Sequence, residues 1–124
     1  MLDKRKEERL KEKNAATITV ISDRENSPEE EILYTYTRDI SLQGARIRAK
    51  NILPVGTYLN VELTLNNLQE MIIVLGKVKW IRSIIENEYY EFGVEFINTP
   101  IDAFTKLWNY ILSKQGLVIP TSSV

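Results

Sequence analysis

Apolar and polar residues alternate with a period of two through most of the chain between residues 15 and 97. Such alternation is typical of β-strands that bury one face, because successive side chains of a strand point to opposite sides. Turn signals interrupt the pattern, and no segment with helical spacing separates the strands. Parallel pairing would need long crossover connections, so the pattern predicts an antiparallel sheet that closes into a small barrel or folds as a sandwich.

The predicted strands differ in how clearly they assign a buried face. In "ARIRA", Ala45 and its alternate neighbours form the apolar face, and in "YLNVELTL" the apolar face begins at Leu59. In "MIIVLGKVKWI", the alternation predicts that Val78 and Trp80 share one face. The predicted strand segments are residues 16–21, 32–37, 45–49, 58–65, 71–81 and 89–96.

The spacing changes to that of a helix after residue 99. Thr99 and Pro100 occupy positions suited to an N-cap and a first-turn proline, and Gly116 is suited to end the helix. The apolar residues between them recur at helical spacing and predict a buried stripe, which consists of Ile101, Phe104, Leu107, Trp108 and Ile111. The stripe is expected to pack against the barrel or across one of its ends.

The 124 residues suit a single domain, which we divide into three parts. Residues 1–14 are charged and form an N-terminal arm, residues 15–116 form the barrel and helix, and residues 117–124 form a tail. The chain shows neither the apolar run of a signal peptide nor a stretch long enough to span a bilayer. We therefore expect a cytoplasmic protein without membrane insertion.

Composition argues against several classes of function. The chain has no cysteine and no histidine, so the commonest general base, the thiol nucleophile and the usual transition-metal ligands are missing. No glycine-rich phosphate loop is present. The formal net charge of -1 disfavours binding of DNA or of single-stranded nucleic acid through a general basic field. We expect no enzyme, no metal and no tightly bound cofactor.

Two short motifs remain. The stretch "RDISLQGARIRA" contains Asp39, Ser41 and Gly44, whose side chains and conformational freedom suit a turn, with Gly44 supplying a positive φ. Arg5 and Arg9 lie four residues apart and share one side of a helix or of an extended arm, where two guanidiniums can hold an anion. Each motif alone also fits a structural role: the first as a turn, the second as a solvated charged segment.

Together the motifs resemble the PilZ family, whose signature is R-x-x-x-R followed by (D/N)-x-S-x-x-G. The segments "DISLQGARI", "LPVGTYLNVEL", "GKVKWI" and "FGVEF" are similar to successive strands of that family. The resemblance implies a six-stranded antiparallel PilZ-type β-barrel with a C-terminal α-helix and a charged N-terminal arm. It also implies a bacterial receptor for the second messenger cyclic di-GMP.

The resemblance assigns the ligand to Arg5, Arg9, Asp39, Ser41 and Gly44, with Lys4 and Trp80 as candidates for additional contacts. Arginine can pair with a phosphate, contact a guanine edge or stack on a base. Asp39 can accept hydrogen bonds from guanine N–H groups, and Gly44 allows close approach. Glu7 and Glu8 lie between the two arginines, where negative charge opposes phosphate binding.

The family resemblance also implies a partner. Binding of cyclic di-GMP would order the arm and change a surface for an effector protein in motility, exopolysaccharide or virulence machinery. The alternative is a PilZ-fold protein-interaction module that binds no nucleotide.

Overall fold

The computed structural model describes residues 11, 13–21, 32–65, 70–85 and 88–116. All six predicted strands are present there, and a single helix follows them. In chain order the elements are β1 (Ala15–Ile21), β2 (Ile32–Ile40), β3 (Gly44–Ala49), β4 (Tyr58–Leu65), β5 (Glu70–Ile85), β6 (Tyr89–Ile97) and α1 (Ile101–Lys114). Three strands run past their predicted C-terminal ends: β2 by three residues, β5 by four and β6 by one.

The strands form a closed antiparallel barrel in the order β1-β2-β3-β6-β5-β4, and β4 pairs back onto β1. This confirms the predicted six-stranded barrel. The order places β3 directly beside β6, although β4 and β5 separate them in the sequence. The outer surfaces of β2, β3, β6 and β5 therefore form one continuous face, and this face carries the candidate site.

One face of each strand fills the barrel, as the alternation predicts. In β3, Ala45 and Ile47 are buried while Arg46 and Arg48 lie on the outer face at intermediate exposure. The four inward residues of β4 are completely buried, namely Leu59, Val61, Leu63 and Leu65. Burial of each such side chain contributes about 1.5–3 kcal/mol relative to exposure, so these inward rows supply most of the driving force for the fold.

Strand β5 departs from strict alternation at Lys79. The register passes from Val78 opposite Val94 to Trp80 opposite Gly93, so Lys79 is an extra residue of a β-bulge. The prediction that Val78 and Trp80 share a face is therefore wrong: Val78 is completely buried and Trp80 is 38% exposed. One inserted residue reverses the alternation.

The second half of β5 extends beyond the end of its pairing with β4. Residues 70–77 pair with β4 on one side and, from Leu75, with β6 on the other. From Trp80 onward, β6 is the only described strand that pairs with β5. Residues 80–85 thus form a strand edge, whereas residues 90–93 of β6 pair both with β5 and with β3 in the barrel wall.

Helix α1 lies over the barrel end at which β1 begins and β4 ends. The side-chain amide of Asn14, which directly precedes β1, donates to the Tyr110 hydroxyl at 2.9 Å and to the Thr64 carbonyl at 3.0 Å. Asn14 and Tyr110 are each 1% exposed. These hydrogen bonds join the helix to the barrel.

The predicted apolar stripe of α1 is only partly correct. Leu107 and Ile111 are buried, together with Ala103 and Tyr110. The other three members of the stripe are exposed, with Ile101 at 75%, Phe104 at 37% and Trp108 at 45%. The helix is rotated so that Ala103 and Tyr110, which the pattern did not include, face the barrel in place of these three residues.

The helix ends also differ in how well they were predicted. Pro100 is itself the N-cap and no side-chain hydrogen bond caps the first turn, so the expected capping by Thr99 is wrong. At the other end Gln115 is the C-cap, and Gly116 follows with a φ of 82°. Gly116 therefore ends the helix in the left-handed conformation that glycine favours, as predicted.

Candidate functional site

Ser41 closes the turn between β2 and β3. Its backbone N–H donates to the carbonyl of Gly44 at 2.8 Å. Its Oγ accepts hydrogen bonds from the backbone N–H groups of Gln43 and Gly44, each at 3.2 Å. Ser41 is 0% exposed, so these bonds are shielded from water. The side chain does what the turn interpretation predicts.

Gly44 is required by close packing and not by a positive φ. The glycines with positive φ in the described ranges are Gly56 and Gly116, so the expectation for Gly44 is wrong. A Cβ added at Gly44 would overlap the carbonyl oxygen of Val94 and lie 3.2 Å from the carbonyl carbon. The absent side chain lets β3 approach β6 closely at this point.

Asp39 lies near the end of β2 and is held by Arg46 of β3. Arg46 Nε donates to Asp39 Oδ2 at 2.7 Å, and Arg46 Nη2 forms an ion pair with the same oxygen. Asp39 is 1% exposed, whereas the Arg46 side chain is 32% exposed. The hydrogen bond to Asp39 raises the pKa of the Arg46 guanidinium above its ordinary value, although partial burial of the guanidinium acts to lower that pKa. Arg46 thus covers Asp39 on the outer face.

Glu91 of β6 is a second buried carboxylate beside Arg46, and the sequence analysis missed it. Arg82 of β5 donates to Glu91 Oε1 from Nε at 3.1 Å and from Nη2 at 2.7 Å. Arg46 Nη1 lies 3.9 Å from Oε1, and Arg48 Nη2 lies 3.8 Å from Oε2. The only sequence signal for Glu91 is its position as an acid inside the aromatic stretch "YYEF". That signal does not indicate which residues pair with it.

Two clefts border this cluster on the outer face. The first, the Trp80 cleft, has a volume of about 540 Å³ and is lined by Gln43, Gly44, Ala45, Arg46, Lys79, Trp80, Gly93, Val94 and Glu95. The second, the Lys13 cleft, has a volume of about 640 Å³ and is lined by Lys11, Lys13, Tyr36, Thr37, Arg38, Arg48 and Tyr89. Both volumes lie in the range of small-molecule sites, and four cationic side chains line the second cleft.

The Trp80 indole lies against Gly93 on the floor of the first cleft. A Cβ at Gly93 would overlap the indole nitrogen, so the glycine makes room for the ring. The guanidinium of Arg82 lies 5.7 Å from the Trp80 ring centroid. The partly exposed Trp80 ring thus lies in the cleft that Arg46 and Gly44 also line.

The chain enters the barrel beside the Asp39 turn. Asn14 N–H donates to Thr37 Oγ1 at 3.0 Å, and Thr37 N–H donates to the Asn14 carbonyl at 2.8 Å. Thr37 precedes Asp39 by two residues, and Lys13 Nζ lies 4.8 Å from the Tyr36 ring centroid. Of the predicted site residues, the structure brings Asp39, Ser41, Gly44 and Trp80 to one region, while Lys4, Arg5 and Arg9 lie outside the described residues.

The described part of the chain contains neither a group of potential metal ligands nor a helix suited to cross a membrane. No group of three or more acidic, histidine or cysteine side chains there is arranged to hold a metal ion. No helix in these ranges is long and apolar enough to cross a membrane.

Comparison with family models matches residues 3–113 to the PilZ domain. The match covers most of the chain, and the chain belongs to the PilZ domain family. Comparison with curated protein sequences found no match.

Solved structures with the same fold include three informative cases. The inhibitor of motility MotI/DgrA from Bacillus subtilis superposes with a TM-score of 0.73 at 18% identity, over 92% of this chain and 52% of that one. The PilZ domain of YcgR from Escherichia coli, solved with cyclic di-GMP, gives a TM-score of 0.67 at 17% identity, over 92% and 93%. MrkH of K. pneumonia in complex with cyclic di-GMP gives a TM-score of 0.67 at 18% identity, over 93% of this chain and 54% of that one. The chain thus spans about half the length of MotI/DgrA and MrkH.

Proposed function

We propose that this protein is a non-enzymatic receptor for cyclic di-GMP, acting in the cytoplasm, that relays the signal to a partner protein. The observation that carries the proposal is the pairing of Asn14 with Thr37. This pairing anchors the end of the arm that carries Arg5 and Arg9 within two residues of Asp39. The R-x-x-x-R motif would then reach the D-x-S-x-x-G turn from the same end of the barrel.

The chemistry of the outer face suits a ligand with two phosphates and two guanines. Cationic side chains line both clefts, and arginine matches both phosphate oxygens and the O6/N7 edge of guanine. Arg5 and Arg9 would supply the contacts from the arm, with Lys4 beside them. Trp80 would offer a stacking surface, because its exposed ring lies in the cleft that also contains Gly44.

Direct contact between guanine and Asp39 requires a change of partner. Asp39 is buried beneath Arg46, so the base must displace that guanidinium before the carboxylate can accept its N–H groups. Arg46 Nη1 is already 3.9 Å from Glu91 Oε1, which makes Glu91 the nearest alternative acceptor. Ligand binding would then exchange one ion pair for another and leave no buried charge unpaired.

A PilZ-fold interaction module without nucleotide binding is the second candidate, and the surface of α1 favours it. Phe104 and Trp108 stack with ring centroids 6.5 Å apart, and Ile101 beside them is exposed. Exposed apolar side chains grouped in this way are typical of protein contacts. The same surface would serve the effector of a receptor in motility, exopolysaccharide or virulence machinery.

Calorimetric titration distinguishes the two candidates. The receptor should bind cyclic di-GMP and bind linear di-GMP and GTP much more weakly. Arg9→Ala should lower the affinity for cyclic di-GMP by at least about fivefold, since one bidentate contact is worth roughly 1–3 kcal/mol. Lys106→Ala removes an exposed positive charge from α1 and should leave the affinity unchanged. Absence of heat with the wild-type protein would leave the interaction module as the function.

A further inference from the structure

Three arginines of neighbouring strands surround one buried carboxylate on the outer face. Arg46 and Arg48 come from β3, Arg82 comes from β5, and Glu91 lies between them on β6. Their side chains are 32%, 37% and 59% exposed, in that order, whereas the side chain of Glu91 is 2% exposed. The acid is therefore inside the cluster and the guanidiniums form its surface.

This arrangement is costly as a purely structural device. Burial of a carboxylate carries a desolvation penalty, and three like charges around it repel one another. Replacing a buried ion pair by apolar residues of similar volume is often neutral or stabilising, so the cluster is weak evidence for a role in stability. In addition, Arg48 Nε is buried and has no hydrogen-bond partner among the described residues. Unsatisfied buried donors are uncommon in native proteins, and this one is consistent with a group kept for a ligand.

The cluster lies between the two clefts and supplies a cation to each. Arg46 lines the Trp80 cleft and Arg48 lines the Lys13 cleft. The two oxygens of Glu91 contact different arginines: Oε1 is close to Arg46 and Arg82, and Oε2 is close to Arg48. One carboxylate thus orients positive groups that face two adjoining binding surfaces.

We propose that Glu91 is a positioning residue for the anionic ligand: it holds Arg82 by hydrogen bonds, and its charge keeps Arg48 and the Asp39-bound Arg46 beside it, so that the three form an array across the two clefts. The inference rests on the proposed function and adds residues outside the R-x-x-x-R and D-x-S-x-x-G motifs. A guanidinium already held in the fold loses less rotamer freedom when the ligand arrives. Glu91 contributes by holding the arginines, not by touching the ligand.

The direction in which Glu91→Gln changes the ligand affinity distinguishes a positioning role from simple electrostatic repulsion. Glu91→Gln removes a negative charge near an anionic ligand, so electrostatic attraction alone predicts tighter binding. Loss of the array predicts weaker binding instead. Glu95 of β6 provides the matched control, because it lines the Trp80 cleft but is exposed and pairs only with Lys79 among the described residues, at 3.5 Å. Glu95→Gln should bind slightly more tightly than the wild type.

The experiment is titration of both variants with cyclic di-GMP and with GTP, at one salt concentration and below their melting temperatures. We expect Glu91→Gln to weaken cyclic di-GMP binding at least fivefold while GTP binding stays equal or tightens, so that discrimination between the two falls. A merely structural role would weaken both in parallel and would refute the proposal. Tightening of cyclic di-GMP binding by Glu91→Gln would refute it as well.

A second measurement needs neither the variant nor the ligand. In the ligand-free wild type, the Nε–H group of Arg82 should give a slowly exchanging NMR signal, since it donates to Glu91. The exposed Arg38 of β2 serves as the reference for a solvated arginine. Equal exchange at Arg82 and Arg38 would show that no fixed array exists, even if cyclic di-GMP binds. If the Arg82 Nε–H exchanges slowly but the wild type does not bind cyclic di-GMP, the proposed ligand is refuted, and the positioning role with it. The array of arginines would still exist in that case.

Discussion

The substitution Gly44→Ala should destabilise the barrel although it adds a single methyl group. The new Cβ would overlap the Val94 carbonyl oxygen and crowd the Cα of Glu95 at 3.3 Å. Both are backbone atoms of β6, so no side chain can move aside. Strands β3 and β6 would have to separate by on the order of 1 Å at the end of their ladder, where overpacking costs typically 1–3 kcal/mol.

The magnitude follows from what that separation disturbs. Gly44 is opposite Glu95 in the ladder, and the next bond outward runs from Phe96 N–H to the Gln43 carbonyl at 2.8 Å. Two weakened hydrogen bonds at about 1 kcal/mol each, added to the overpacking, give a loss of about 3–5 kcal/mol. Domains of this size have about 5–15 kcal/mol to lose, so the variant should fold with a clearly lower urea midpoint.

Gly56 is the matched control, because it has a φ of 96° and a Cβ there would meet nothing within 4 Å. Gly56→Ala should cost only the strain of a left-handed residue, about 1–2 kcal/mol. Asparagine tolerates that conformation, so Gly56→Asn should recover part of the loss and Gly44→Asn should recover none. Close packing is the wrong explanation if the free energy of unfolding of Gly44→Ala lies within about 1 kcal/mol of the wild-type value. It is also wrong if Gly44→Asn destabilises the barrel less than Gly44→Ala does.

Three further substitutions test the contacts around the site. Ser41→Ala removes the Oγ that accepts from two backbone amides and should lower the free energy of unfolding by about 1–3 kcal/mol; a change under 0.5 kcal/mol in urea denaturation would contradict the role of the hydroxyl in the turn. Asp39→Asn should cost about 1–3 kcal/mol, because Arg46 loses a charge-assisted partner, and an unchanged melting temperature would argue against that ion pair. Tyr110→Phe removes the hydroxyl that accepts from Asn14 and should cost about 1 kcal/mol in a thermal melt; a neutral result would mean that α1 does not depend on this bond.

The barrel could be predicted because its signal is local. Each strand records its own buried face in the alternation of its side chains, and each turn carries its own residues. The bulge at Lys79 could not be read in this way. One extra residue leaves the composition of "GKVKWI" unchanged, and only the pairing of β5 with β6 shows that Trp80 points outward.

The arginine cluster escaped prediction for a related reason. Arg48 and Glu91 are neighbours because β3 pairs with β6, and Arg82 joins them because β6 pairs with β5. These pairings join residues far apart in the sequence, and no spacing rule contains them. The helix shows the same limit: its period was clear, but the rotation that buries Tyr110 and exposes Trp108 depends on what the barrel end offers.

Residues 80–85 of β5, which pair with β6 alone among the described strands, have a consequence for how the proposed partner protein would recognise this surface. A strand that lacks a neighbour on one side offers backbone N–H and C=O groups to an extended peptide, which can extend the sheet by one strand. Such a peptide on residues 80–85 would lie next to Trp80 and Arg82. Nucleotide and effector would then share one hairpin, and each could favour or exclude the other by direct contact, with no signal transmitted through the barrel.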